Sequence, residues 1–185
     1  MNVGIIGQGF DNLNIILSPE FLTEDNSIED FKNQTRIILG GPRPHTTKVK
    51  SMFRKRFPQI PIVKTGYKTA DIVKYFINNF LSTEVIFANK MYRIYNLLDI
   101  NYDKVTEYAL FNERVGRSHL SVPGSDGDFG YGGHCFPKDI DTMIYLTRSM
   151  CGAALLLEQI KRSNECVRKD RNWESMKDQA ASDED

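Results

Sequence analysis

The stretch with the most chemistry in it is residues 130–139, Gly-Tyr-Gly-Gly-His-Cys-Phe-Pro-Lys-Asp. Glycines let a backbone approach a ligand closely, and Cys135 falls directly before a segment that Pro137 is suited to open as a helix. A thiol at a helix N-terminus beside Lys138 sits where unsatisfied N–H groups and positive charge favour thiolate. Cys135 is therefore a candidate nucleophile, the plain alternative being a loop cysteine next to a structural glycine turn. Lys74 and Asn78 are four residues apart, hence on one face of a helix whose neighbouring positions are largely apolar. A lysine and an amide converging there can stabilise a developing oxyanion; a snorkelling lysine with a solvent-facing amide accounts for the same spacing. Of the many carboxylates in residues 18–31, Glu20 follows a strand-like run and Pro19, and is the one expected to point into a cleft.

These side chains need elements to hold them. Residues 2–6 are a short β-prone run entering Gly7-Gln8-Gly9, the first half of a G-x-G-x-x-G turn with Asn12 where the third glycine belongs. Residues 14–17 are another strand-like run, standing where a helix is expected. Two more strands are predicted at 36–39 and 60–65, with a basic surface helix over 46–57 between them. From Thr69 the period changes: Val73, Phe76, Ile77, Phe80, Phe87, Met91, Ile94, Tyr95 and Leu98 recur at steps of three, four or seven, with no Gly or Pro over 69–98. That predicts one helix of about eight turns, long enough to pack on something outside its own fold, such as a twin copy. A short helix over 103–111, a Gly/Ser/Pro/Asp-rich loop over 116–133, helices over 138–150 and 153–173, and a solvated acidic tail over 180–185 complete the chain.

Composition narrows the class. With 185 residues, 41 % hydrophobic, 26 % charged and zero formal net charge, the chain reads as a soluble globular protein. Its basic residues are not gathered into one block, so no nucleic-acid partner is expected. No apolar run approaches the roughly 20 residues that span a bilayer, and the first ten residues lack secretory features, so the expected location is cytoplasmic, without membrane association. The three cysteines fit neither a disulfide framework nor a zinc site, and no metal is expected. Cys151 and Cys166 read as small buried hydrophobes on helices.

The three candidate segments, in this order, resemble those of the nucleotide-sugar 6-dehydrogenases of the UDP-glucose dehydrogenase family. Pro-Glu-Phe-Leu at 19–22, Ile-Glu-Asp-Phe at 28–31 and Arg-Ile-Ile-Leu-Gly-Gly at 36–41 look like the end of that family's cofactor domain. Residues 70–81 look like the start of its dimerisation helix, 130–139 like its nucleophile loop, 122–127 like the run preceding that loop in microbial members, and 164–173 like the helix leading to its third domain. The resemblance covers nearly the whole chain. It departs between Gly9 and Asn14, where the family has most of a nucleotide-binding fold, on the order of a hundred residues, and after Trp173, where the family has a domain for the uridine nucleotide.

The implied fold class is an α/β remnant of a Rossmann-type domain followed by a mainly α-helical dimerisation domain with one long helix. The implied domains are 1–66 (NAD-binding remnant), 67–152 (central helical dimerisation domain with the nucleophile loop) and 153–185 (start of the UDP-binding domain and acidic tail). The implied activity is NAD-dependent oxidation of UDP-glucose to UDP-glucuronate. Cys135 would form a thiohemiacetal and then a thioester, Lys74 and Asn78 would stabilise oxyanions, Asp139 with a water would move protons, and Glu20 would help hydrolyse the thioester. Gly7, Gly9, Glu24 and Lys138 match cofactor positions. Phe21, Leu22, Gly132 and Arg114 match substrate positions, Arg114 reaching across a dimer. The implied partners are UDP-glucose or a related nucleotide sugar, and a second copy or a full-length homologue. The family's catalytic threonine and ribose-binding acid fall in the missing segment, so a second reading is a catalytically incomplete relative acting as a dimerisation or interaction module.

Overall fold

The computed structural model describes residues 15–23 and 26–175. The strand over 2–6, Gly7, Gly9, Glu24 and the tail over 180–185 lie outside the described residues. The chain divides into two compact units, Met1–Phe76 and Ile77–Asp185.

The first unit is α/β. Strands β1 (Ile37–Gly40) and β2 (Ile62–Thr65) run parallel with Ile37 opposite Ile62 and Gly40 opposite Thr65. A parallel pair needs a crossover, and helix α2 (Arg43–Arg56) supplies it. All four β1 residues are buried, as a continuous apolar run requires, whereas only Ile62 of β2 is buried, as befits an edge. Ile37, Leu39, Phe57 and Ile62 form the core, with Ile16, Val49, Phe53 and Ile60 packed on it. A short helix α1 (Ser27–Lys32) occupies the acidic stretch. The expected strand over 14–17 reduces, among the described residues, to one antiparallel bridge. Leu17 and Gly40 exchange N–H···O bonds of 2.9 and 2.7 Å.

The second unit is helical. Helix α3 (Tyr67–Leu97) is the long helix expected from the apolar period, and its greater part lies here. It is followed by α4 (Tyr102–Ala109), α5 (Cys135–Cys151) and α6 (Leu155–Val167). Tyr131, Ile140, Ile144, Ala154 and Ile160 form one core, and Ala88, Tyr102 and Val122 another. The α5–α6 hairpin turns at Gly152, whose φ of +90° suits glycine, and carries the ion pairs Arg148–Glu158 (2.7 Å) and Asp141–Lys161 (2.6 Å). No helix among the described residues is long and apolar enough to cross a membrane.

Three local expectations change. Helix α5 begins at Cys135, three residues before the expected start, so the cysteine is its first residue and Pro137 its third. Proline fits there because the first turn's N–H groups have no intrahelical partner. Helix α6 stops at Val167, where Arg168 turns to extended backbone (ψ 130°), well before residue 173. Cys151 and Cys166 are exposed thiols, each near the C-terminal end of its helix, where no core reaches them.

Gly40 supports a prediction. A Cβ there would lie 2.6 Å from Ala70 Cβ, at the buried start of α3. Both sides are backbone-near atoms with no rotamer to yield, so Gly40→Ala should lower stability by roughly 1–3 kcal/mol. Urea unfolding checks this, and an unchanged midpoint would contradict it.

Candidate active site

In the second unit the chemistry gathers around Asp139, which is only 1 % exposed. Asn78 Nδ2 donates to Asp139 Oδ2 at 2.6 Å, and Lys138 Nζ pairs with Oδ1. Asn79 Nδ2 reaches the Asp139 carbonyl at 3.4 Å. Each carboxylate oxygen thus has its own donor, as a buried charge requires. Cys135 is half-buried and lies one turn N-terminal to Asp139 on α5, on the same face of the helix. Lys138 keeps 58 % of its side chain exposed while its ammonium turns to Asp139. The expected solvent-facing alternative for Asn78 is therefore not the arrangement found.

The loop before Cys135 is held by side chains that spacing and motif did not single out. Gly130 N–H donates to Asn89 Oδ1 (3.0 Å), Tyr131 N–H to Asn164 Oδ1 (2.8 Å) and Gly133 N–H to Asn172 Oδ1 (3.2 Å). Asn164 Nδ2 also donates to the Tyr131 carbonyl at 2.9 Å. Two of the glycines are explained by this. A Cβ on Gly130 would fall on Asn164 Oδ1, and one on Gly132 would fall on the Arg168 guanidinium. At both glycines, then, a polar side chain of the same chain approaches the backbone.

Arg168, 6 % exposed, is clasped from the loop: its Nη2 pairs with Asp126 Oδ2 at 2.6 Å and its Nε faces Asp128 Oδ2 at 3.5 Å. Among the described residues its Nη1 is buried without a hydrogen-bond partner. Asp128 accepts from the backbone N–H groups of Phe129, Lys169 and Asp170 at 2.8–3.0 Å. One signal for these residues was in the sequence: Asn164 interrupts an apolar helical face formed by Leu157, Ile160 and Val167, and a polar residue there must find a buried partner.

In the first unit Glu20 and Lys74 form the corresponding pair. Lys74 is 6 % exposed, and its Nζ donates to Glu20 Oε1 at 2.9 Å. Burial pushes the Glu20 carboxyl up, but hydrogen bonding and positive charge, those of Lys74 among them, outweigh it and leave it below the ordinary value. A buried ammonium paired to a carboxylate is not a snorkelling lysine. Glu20, Phe21 and Leu22 line a cleft of about 880 Å³, within the size range of ligand pockets, and the Arg36 guanidinium lies 4.2 Å over the Phe21 ring. Arg114 is exposed after α4, its Nε donating to Asn112 Oδ1 at 3.2 Å. Among the described residues no group of three His, Cys, Asp or Glu side chains is placed to hold a metal ion.

The loop clasp has a pH signature. The Asp170 N–H foremost, then those of Phe129 and Lys169 and the Arg168 charge, hold the Asp128 carboxyl below its ordinary value. The folded state therefore favours the charged form. The resulting stability is present above the unfolded pKa, about 4, and is lost as pH falls through the lower folded value. Wild type should melt above Asp128→Asn at neutral pH, with the gap closing as the pH is lowered past that range. A gap independent of pH would contradict the assignment.

Comparison with known proteins places the chain. Residues 68–166 match the sequence model of the UDP-glucose/GDP-mannose dehydrogenase family, central domain. UDP-glucose 6-dehydrogenase TuaD of Bacillus subtilis is 28 % identical over 158 residues, covering 85 % of this chain and 33 % of the relative. UDP-glucose 6-dehydrogenase AglM of Haloferax volcanii is 32 % identical over 143 residues, covering 75 % and 32 %. A UDP-glucose dehydrogenase structure from Pyrobaculum islandicum superposes with a TM-score of 0.69 at 28 % identity, covering 82 % of this chain and 34 % of that one. The chain spans about a third of the length of the curated relatives it matches. With the family's central domain matched over more than half of its residues, the chain belongs to the UDP-glucose/GDP-mannose dehydrogenase family.

Proposed function

We propose that the protein acts as a nucleotide-sugar dehydrogenase, oxidising the C6 alcohol of UDP-glucose to the carboxylate with Cys135 as nucleophile and NAD as oxidant. The observation that carries the reading is the Asn78–Asp139–Lys138 cluster one helical turn behind Cys135. Family membership and relatives named UDP-glucose 6-dehydrogenase support it.

Of the residues expected at the cofactor, Lys138 is the one described, held against Asp139. The cleft beside Glu20 suits a nucleotide-sized ligand by volume and by its largely apolar wall. NAD, when bound, accepts hydride at each of two oxidations. Once the alcohol is an aldehyde, Cys135 Sγ adds to its carbonyl carbon. The carbonyl oxygen gains the electron pair, and Lys74 and Asn78 stabilise the charge as it develops. Loss of hydride from that thiohemiacetal leaves a thioester on Cys135. Water then attacks the acyl carbon, Glu20 and Asp139 taking up protons, and the thiol departs. One alcohol and one water thus give one carboxylate, two hydrides and three protons.

A second reading rests on α3. Phe87 and Ile94, seven residues apart on it, are 60 % and 40 % exposed. Exposed apolar residues at that spacing form a seam for another helix, and the occupant proposed is a second copy, with residues 67–152 as the dimerisation domain. On this reading a chain inactive by itself serves as an interaction module.

Purified protein given UDP-glucose and NAD should form two NADH per sugar, and Cys135→Ser should reduce turnover by at least about 10²-fold. No NADH at high protein concentration, together with no heat of NAD binding, would overturn the enzymatic reading and leave the module.

A further inference from the structure

We propose that Asn89, Asn164 and Asn172 form an amide cradle that fixes the backbone entering α5, with Asn164 as the positioning residue for Cys135. The inference rests on the reading of Cys135 as the nucleophile and adds residues that set its geometry.

Residues 130–133 belong to no helix or strand, yet Gly130 and Tyr131 are buried, so their peptide groups need partners that water cannot supply. Three asparagine carbonyls, from α3, from α6 and from the segment after α6, accept the N–H groups of Gly130, Tyr131 and Gly133. Asn164 goes further: its side-chain amide accepts from Tyr131 N–H and donates to Tyr131 C=O, the two-way exchange of a β-bridge. An aspartate of the same shape has no donor for that carbonyl when ionised. Asn164 is 1 % exposed, which shields both bonds. Asn89 is itself oriented, its Nδ2 donating to Val85 C=O at 2.8 Å.

The cradle bears on Cys135 because of distance along the chain. Only His134 separates Gly133 from Cys135, and Gly133 holds a φ of +69°. Fixing the Tyr131 and Gly133 peptides therefore fixes the direction in which the first turn of α5 starts, and with it the Cα–Cβ vector of the cysteine. Packing of Ile140 and Ile144 holds the helix body further on.

The test uses the other two thiols as internal references. Native protein is treated with iodoacetamide, and alkylation of Cys135, Cys151 and Cys166 is followed separately by peptide mass spectrometry. Cys151 and Cys166 are exposed in the fold, whereas Cys135 is half-buried. In Asn164→Ala, Cys135 should react faster relative to both references by about fivefold or more, as local opening allows, while the references keep the wild-type rate. Asn172→Ala, removing a bond at the edge of the loop, should move Cys135 the same way by less, and serves if Asn164→Ala does not fold. In turnover, Asn164→Ala should lower kcat while leaving KM for UDP-glucose near wild type.

A folded Asn164→Ala or Asn172→Ala variant with the wild-type Cys135 ratio would overturn the cradle. Alkylation needs neither NAD nor sugar, so the two proposals fail separately. A shifted ratio in a protein that makes no NADH removes the enzymatic reading alone.

Discussion

A carboxylate that is 1 % exposed is the constraint around which the helical unit is organised. Taking an ionised Asp139 out of water costs several kcal/mol unless donors replace the solvent. The sequence places those donors on two elements: Lys138 next to it on α5, and Asn78 on α3. Asn79, the neighbour of Asn78, bonds the Asp139 main-chain carbonyl. Two successive asparagines thus grip one residue by its side chain and by its backbone. A slip of α3 against α5 would break both bonds and cost the Asp139 carboxylate one of its two donors. The register that satisfies Asp139 also fixes the start of α5, where Cys135 stands one turn away.

The same logic recurs along the chain before Cys135. Segment 126–133 has no ladder, so every buried peptide group needs a side-chain partner. Asparagine meets this from α3 and α6 because its amide copies a peptide group, donor and acceptor together. Gly130 and Gly132 leave room for the side chains that do the holding. The acidic half of the loop works in the opposite sense: Asp126 and Asp128 supply charge to the buried Arg168, and Asp128 caps the N–H groups beyond α6. In the other unit Glu20 and Lys74 repeat the pairing of a buried ion across residues far apart in sequence.

Much of this architecture was legible from local pattern. The apolar steps after Thr69 mark α3, and the two apolar runs flanking a basic helix mark strands β1 and β2. Such features need only neighbours within a turn or a strand. The misreadings are long-range. Helix α6 carries no glycine or proline to stop it. It ends because Arg168 is drawn to carboxylates some forty residues earlier in the chain. Pro137 pointed to a helix start, and the start fell two residues before it, because a proline is tolerated anywhere in a first turn. Cys151 and Cys166 lie at helix ends beyond the reach of the core, which composition cannot show. Of the candidate site, the residue types around Cys135 and Lys74 were readable. The amides that hold the loop were not, apart from the polar break that Asn164 makes in an apolar face.

If Cys135 carries the sugar as a covalent intermediate, trapping that intermediate is the direct measurement. The Glu20→Gln variant, in which thioester hydrolysis is slowed, is mixed with NAD and UDP-glucose and quenched in acid before peptide mass spectrometry. The proposed mechanism predicts the mass of a UDP-glucuronyl group on the peptide bearing Cys135, absent from those bearing Cys151 and Cys166. NADH formed with Cys135 unmodified, or an adduct spread evenly over the three cysteines, would contradict it.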